Sequence, residues 1–169
     1  MKIILKSKKG FTMVELLVVI AIIGILSTVG LASFMSAQMK ARDTARKSDL
    51  RKIQSALELY RSDNGSYPSP VSNAIPASTG AGCTGAFTKS TTDCSVIYMQ
   101  VIPTDPKDSP WNSGNYYYVS SSPYSVYTLR ACLENSKDND KDSCDAGGSG
   151  CHGASANCPS DKYYVLSNP

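Results

Sequence analysis

Residues 11–35, FTMVELLVVIAIIGILSTVGLASFM, are apolar almost without interruption: they hold a single charge, Glu15, and a few Gly, Ser and Thr. The run is near the roughly 20 residues that a membrane-spanning helix needs. The pattern then changes. Across SAQMKARDTARKSDLRKIQSALELYRSDNGSYP, Leu50, Ile53, Leu57 and Tyr60 recur at spacings of three, four and three. That is one apolar stripe on an otherwise charged helix. Ala37, Ala41, Ala45 and Ala56 add helix propensity, and Ser62-Asp63-Asn64-Gly65 with Pro68 beyond predicts the end. Joined, the two patterns make one helix of about 78 Å over residues 11–62, at ~1.5 Å per residue. No globular domain of this size buries such a helix, so its first half must leave the domain while its second half packs on it.

Residues 68–93 are rich in Pro, Gly, Ser, Thr and Ala and read as a loop. Strand-like runs rich in Tyr and Val follow at 96–102, 116–120, 125–132 and 163–166, separated by Pro, Gly and Asn. Short strands after one helix, with no alternating helices, predict an α+β fold with an antiparallel sheet.

Charge changes the picture little. The chain has 17 Lys and Arg against 14 Asp and Glu, but four of the lysines lie in the first ten residues. The remainder, 13 basic against 14 acidic, exerts no general pull on nucleic acid, and no specific nucleic-acid partner is indicated. Lys40, Arg42, Arg46, Lys47, Arg51 and Lys52 are interleaved with Asp43 and Asp49, which reads as solvated faces or subunit contacts.

Six cysteines, Cys83, Cys94, Cys132, Cys144, Cys151 and Cys158, all lie from residue 83 onward, the pattern of a disulfide framework in an exported chain. Short loops favour Cys83 with Cys94 and Cys144 with Cys151, leaving Cys132 for Cys158. The rival is a zinc site from Cys144, Cys151, His152 and Cys158, whose spacings are wider than zinc sites use. Asp138, Asp140 and Asp142 alternate like the opening of an EF-hand, but Ser143 and Ser149 replace the required Gly and Glu, so only a different calcium site is open to them. His152, the one histidine, has no nucleophile and orienting acid indicated beside it, so no enzyme is expected. The tyrosines and Trp111 read as packing and loop residues.

Glu15 needs its own account. A secretory signal would end in a small-residue cleavage site after the apolar run, and none is clear here. The segment should stay on the protein, with the preceding lysines holding the N-terminus in the cytoplasm. A carboxylate inside such a span costs about 2.5–3.5 kcal/mol and calls for a partner. The string Gly10-Phe11-Thr12-Met13-Val14-Glu15-Leu16-Leu17, after a basic leader, resembles the processing site of type IV pilins and type II secretion pseudopilins. The resemblance implies cleavage between Gly10 and Phe11 by a membrane peptidase and N-methylation of Phe11. It also implies assembly of identical subunits into a helical filament, with Glu15 neutralising the Phe11 amine of a neighbour. Where many members carry proline after the residue equivalent to Gly24, this chain has Ala32, with Gly30 two residues before it.

Ile102-Pro103-Thr104-Asp105-Pro106 before Tyr116-Tyr117-Tyr118, together with ALELYRSDNGSYP, resembles the major pseudopilins of type II secretion. Those proteins bind calcium through C-terminal acids, which is what a site at Asp138, Asp140 and Asp142 would imply. The expected organisation is a leader (1–10), a transmembrane and polymerising half-helix (11–35), an amphipathic half-helix (36–65) and a pilin head with a cysteine-rich tail (66–169). The tail exceeds a minimal pseudopilin and favours the subunit of an external pilus. Before assembly the chain would sit in the cytoplasmic membrane, served by the prepilin peptidase/N-methyltransferase and an inner-membrane assembly platform. The alternatives are a major pseudopilin of a type II secretion system and a membrane-tethered extracellular binding module.

Overall fold

A computed structural model describes residues 10–107, 114–135, 137–140, 142–143, 158 and 162–168. The chain divides after Gln38 into two compact units. One helix, α1 (Met13–Asn64), contributes to both. It starts two residues after the expected Phe11, because Thr12 caps it. It ends as expected, at Gly65, whose φ of +77° suits glycine and whose N–H returns to the Arg61 carbonyl at 2.7 Å. In the first unit, the large apolar side chains described between Phe11 and Met35 are all exposed.

In the second unit the periodic stripe does what its spacing predicts. Leu50, Ile53, Ala56 and Leu57 are buried, with Tyr60 packed at the margin. They meet Tyr67, Ile75, Phe87, Tyr116, Tyr118, Tyr127, Leu129, Ala131, Leu133 and Tyr164. The core is unusually rich in tyrosine, so its hydroxyls must be satisfied locally. Tyr118 donates to the Pro68 carbonyl at 2.7 Å, and Tyr67 and Tyr127 both donate to Glu58. The Tyr127 bond ties the last turns of α1 to the sheet, and the Tyr118 bond ties the sheet to the segment just after the helix.

Two antiparallel sheets carry the strands. β1 (Phe87–Ser90) pairs with β2 (Asp93–Met99) as a hairpin. The other four, β3 (Tyr117–Ser120), β4 (Tyr127–Cys132), β5 (Asp142–Ser143) and β6 (Lys162–Ser167), are ordered β3-β4-β6-β5. β1 falls inside the stretch expected to be loop. Its four residues are too few to show an alternating pattern, and it forms because Phe87 stacks on Tyr60 at 5.4 Å and packs beside Tyr98.

β4 is buried on both faces. Tyr127, Leu129 and Ala131 face the helix, while Arg130 and Cys132 turn to the other side. There Cys158, Tyr163, Tyr117 and Val165 cover Cys132. Arg130 lies against the Tyr117 ring, 5.2 Å from its centroid, so a polar-looking position becomes interior.

Candidate functional site

The expected processing and assembly residues stand together at the start of α1. Gly10 and Phe11 precede the helix and are exposed, so the peptide bond between them is not tied into helical hydrogen bonds. Thr12 and Glu15 form a capping box. The Thr12 hydroxyl accepts the Glu15 N–H at 3.2 Å, and the Glu15 carboxylate accepts the Thr12 N–H at 2.8 Å and its hydroxyl at 2.7 Å. The carboxylate also lies in the first turn, where the helix dipole favours negative charge. Both bonds from Thr12 end on Oε2, which leaves Oε1 for a partner outside the chain. The acid is thus preorganised beside the bond whose cleavage would create an amine.

A second constellation was not read from the sequence. Arg46, only 3 % exposed, grips Asp105 in a bidentate pair at 2.7 and 2.9 Å. Its remaining Nη1 meets Asp43 at 2.7 Å and Glu134 at 2.9 Å. Arg42 forms a second bidentate pair with Glu134, at 2.6 and 2.7 Å. Asp43 accepts the N–H groups of Glu134 and Asn135 at 2.9 and 2.8 Å. Every charge in this interior group has a partner with good geometry, the condition for tolerating burial.

The pKa directions follow from those contacts. Burial pulls the Arg46 guanidinium down, but the bonds to Asp105, Asp43 and Glu134 outweigh it and the net movement is upward. The Arg42 bonds hold Glu134 at about 2, against the opposing pull of its own burial. This turn of α1 fastens the Pro103-Thr104-Asp105-Pro106 turn and the end of β4 to the helix. The interleaved charges at Arg42, Asp43, Arg46 and Lys47, expected to be solvated faces or subunit contacts, therefore make internal pairs. The one available signal was an acid held in a proline-bounded turn.

Cys83 is bonded to Cys94 and Cys132 to Cys158, two of the three expected pairs. The rival zinc arrangement fails at Cys158, whose sulfur is committed to Cys132. Cys144, Cys151, His152 and Trp111 lie outside the described residues. Gly80 explains how the first bridge fits: a Cβ there would stand 2.8 Å from the Cys94 sulfur and 3.1 Å from the Thr92 carbonyl oxygen.

Asp138 and Asp140 are brought together, but around an ammonium. Lys47 Nζ reaches Asp138 at 2.5 Å and Asp140 at 2.9 Å. Asp142 is in β5, and its side chain lies outside the described residues. Calcium takes roughly six to eight oxygen ligands. Two carboxylates already shared with a lysine do not fit that requirement. Among the described residues no group of three or more acids, histidines or cysteines is placed to hold a metal ion.

Comparison with known proteins supports both resemblances. Residues 5–31 match the prokaryotic N-terminal methylation motif, and residues 33–146 match the type II secretion system protein G family. The type II secretion system core protein G of Pseudomonas aeruginosa is 31 % identical over 144 residues, covering 81 % of this chain and 94 % of that protein. The Escherichia coli core protein G is 28 % identical, covering 72 % and 79 %. The type IV wide pilus major component PilA4 of Thermus thermophilus is 42 % identical over 65 residues, only 38 % of this chain and half of that protein. No solved structure matches. With a methylation motif at its start and a secretion-type match through helix and head, the chain belongs to the type II secretion system protein G family, within the pilins and pseudopilins.

Proposed function

We propose that this protein is the major pseudopilin of a type II secretion system, a structural subunit and not an enzyme. The single observation that carries the reading is the extent of the protein G match. It runs from residue 33 to residue 146, through the amphipathic half of α1 and most of the head. The tail had favoured an external pilus. The tail is outweighed, because the Pseudomonas aeruginosa and Escherichia coli secretion proteins match over 81 % and 72 % of the chain and the pilus component over 38 %.

In this reading the leader is removed after Gly10 and the new Phe11 amine is methylated. The exposed apolar surface of residues 11–35 lies in the cytoplasmic membrane until the subunit joins a filament, where copies bury it against one another. Leaving the lipid gains little hydrophobic free energy, because acyl chains are as apolar as leucine, so close packing between helices drives assembly but does not set register. Glu15 supplies register. Its carboxylate is tolerable in an apolar filament core only opposite a cation, and the Phe11 amine of a neighbouring subunit provides one. The capping box holds Glu15 ready until that partner arrives.

The test is a chromosomal deletion in the source organism, scored for type II exoproteins in the medium and for surface pili. The expected result is loss of secretion with pili intact, restored by the wild-type gene and not by Glu15→Ala. Intact secretion with pili missing would instead make the protein a pilus subunit. Normal filaments and secretion with Glu15→Ala would remove the assembly role from that residue.

A further inference from the structure

We propose that Lys47 is a built-in cation for the acidic turn at residues 137–140, which it holds on α1 without a metal ion. The turn is first closed on itself. Asp138 donates its N–H to the Asn135 carbonyl at 3.2 Å, and Lys137 donates to the Asn135 side chain at 3.1 Å. Asp140 donates its N–H to Asp138 Oδ1 at 2.9 Å, an Asx-type turn that aims both carboxylates at one point. A compact turn with two converging carboxylates repels itself unless a cation stands at that point.

The Lys47 ammonium stands there, donating to Asp138 Oδ1 and Asp140 Oδ2. It also lies over the face of Tyr164, 5.5 Å from the ring centroid, so the third side of the ammonium meets β6. Burial alone would lower the Lys47 pKa, but the two carboxylates outweigh it and raise it, so the group stays charged. Lys47 and Asp138 are largely covered while Asp140 is 62 % exposed, which makes Asp138 the anchor and Asp140 the outer arm.

A calcium ion would require the same oxygens that the ammonium occupies, and would stand beside a like charge. One lysine on a rigid helix therefore replaces, for this turn, what a bound divalent ion does for an acidic loop. The inference concerns the head alone and stands or falls apart from which filament the subunit enters. Its consequence is that the turn needs no calcium in the compartment where the head folds.

The experiment uses the full chain in detergent micelles, melted by circular dichroism in excess EDTA and in millimolar calcium chloride. Wild-type Tm is expected to be the same in both. Lys47→Gln is expected to lower Tm in EDTA by roughly 2–4 °C. The same substitution should cost little in an Asp138→Asn/Asp140→Asn background, where there is no acid pair left to neutralise. Should Lys47→Gln fail to fold, Asp140→Asn alone is expected to give a smaller drop in EDTA. Calcium raising wild-type Tm would overturn the proposal. So would a Lys47 substitution that costs nothing, or that costs as much without the two aspartates as with them.

Discussion

Replacing Glu134 by glutamine should cost roughly 2–3 kcal/mol at pH 7 and almost nothing near pH 2. Glutamine keeps the shape of the side chain but matches its protonated, uncharged form. Folding lowers the Glu134 pKa from an ordinary 4.5 to about 2, chiefly through the two bonds from Arg42. At about 1.4 kcal/mol per pH unit, that displacement is worth roughly 3 kcal/mol, with a small discount because Arg42 keeps some access to water. Because folding weakens proton binding here, the stabilisation is complete above pH about 4.5 and is lost as the pH falls through about 2. The assay is urea unfolding of the full chain in micelles, followed by near-ultraviolet circular dichroism of the packed tyrosines, for both proteins at several pH values. The gap between wild type and Glu134→Gln should be widest at neutral pH and close on acidification. A gap of constant size would show that Glu134 acts through shape, and would refute the electrostatic account of the Arg42–Glu134 pair.

Two further expectations concern the bridges. Gly80→Ala places a methyl group against the Cys94 sulfur and the Thr92 carbonyl, and should cost about 1–3 kcal/mol; the cost, measured by thermal melts, should shrink when Cys83 and Cys94 are both serine. Replacing Cys132 and Cys158 by serine opens a loop with a separation of 26 residues, for which chain entropy predicts a loss of roughly 3.5 kcal/mol. The 11-residue separation of Cys83 and Cys94 predicts a smaller loss of roughly 3 kcal/mol, and denaturant midpoints of the two double variants would rank them.

Local periodicity made the core side of α1 legible: Leu50, Ile53 and Leu57 repeat at helical spacing because one face meets the head, and that signal lies within eight residues. Phe87–Ser90 carried no comparable pattern, since its place as a strand depends on Tyr60 on the helix and Tyr98 on the next strand, both outside the segment itself. The Arg46–Asp105 pair spans 59 positions, and an interleaved run of charges looks alike whether solvated or buried. Thr12 and Glu15 were legible as a processing signature. Their capping bonds were equally open to a helix reading, because Thr-x-x-Glu before an apolar run is a capping box. Cys132 with Cys158 was reachable only by eliminating shorter loops, whereas the packing of Tyr163 beside that bridge required the register of β6 against β4.

The strand order β3-β4-β6-β5 bears on how such a head comes into being. β6 lies inside the sheet: it supplies the partner of β5 and the second partner of β4, and β4 cannot close its ladder until β6 arrives. A polypeptide delivered N-terminus first, from a ribosome or through a membrane pore, therefore cannot complete this sheet until Lys162–Ser167 has emerged. Contacts of such long sequence separation also form late on kinetic grounds. Until β6 emerges, β4 keeps an open edge and β5 lacks its partner.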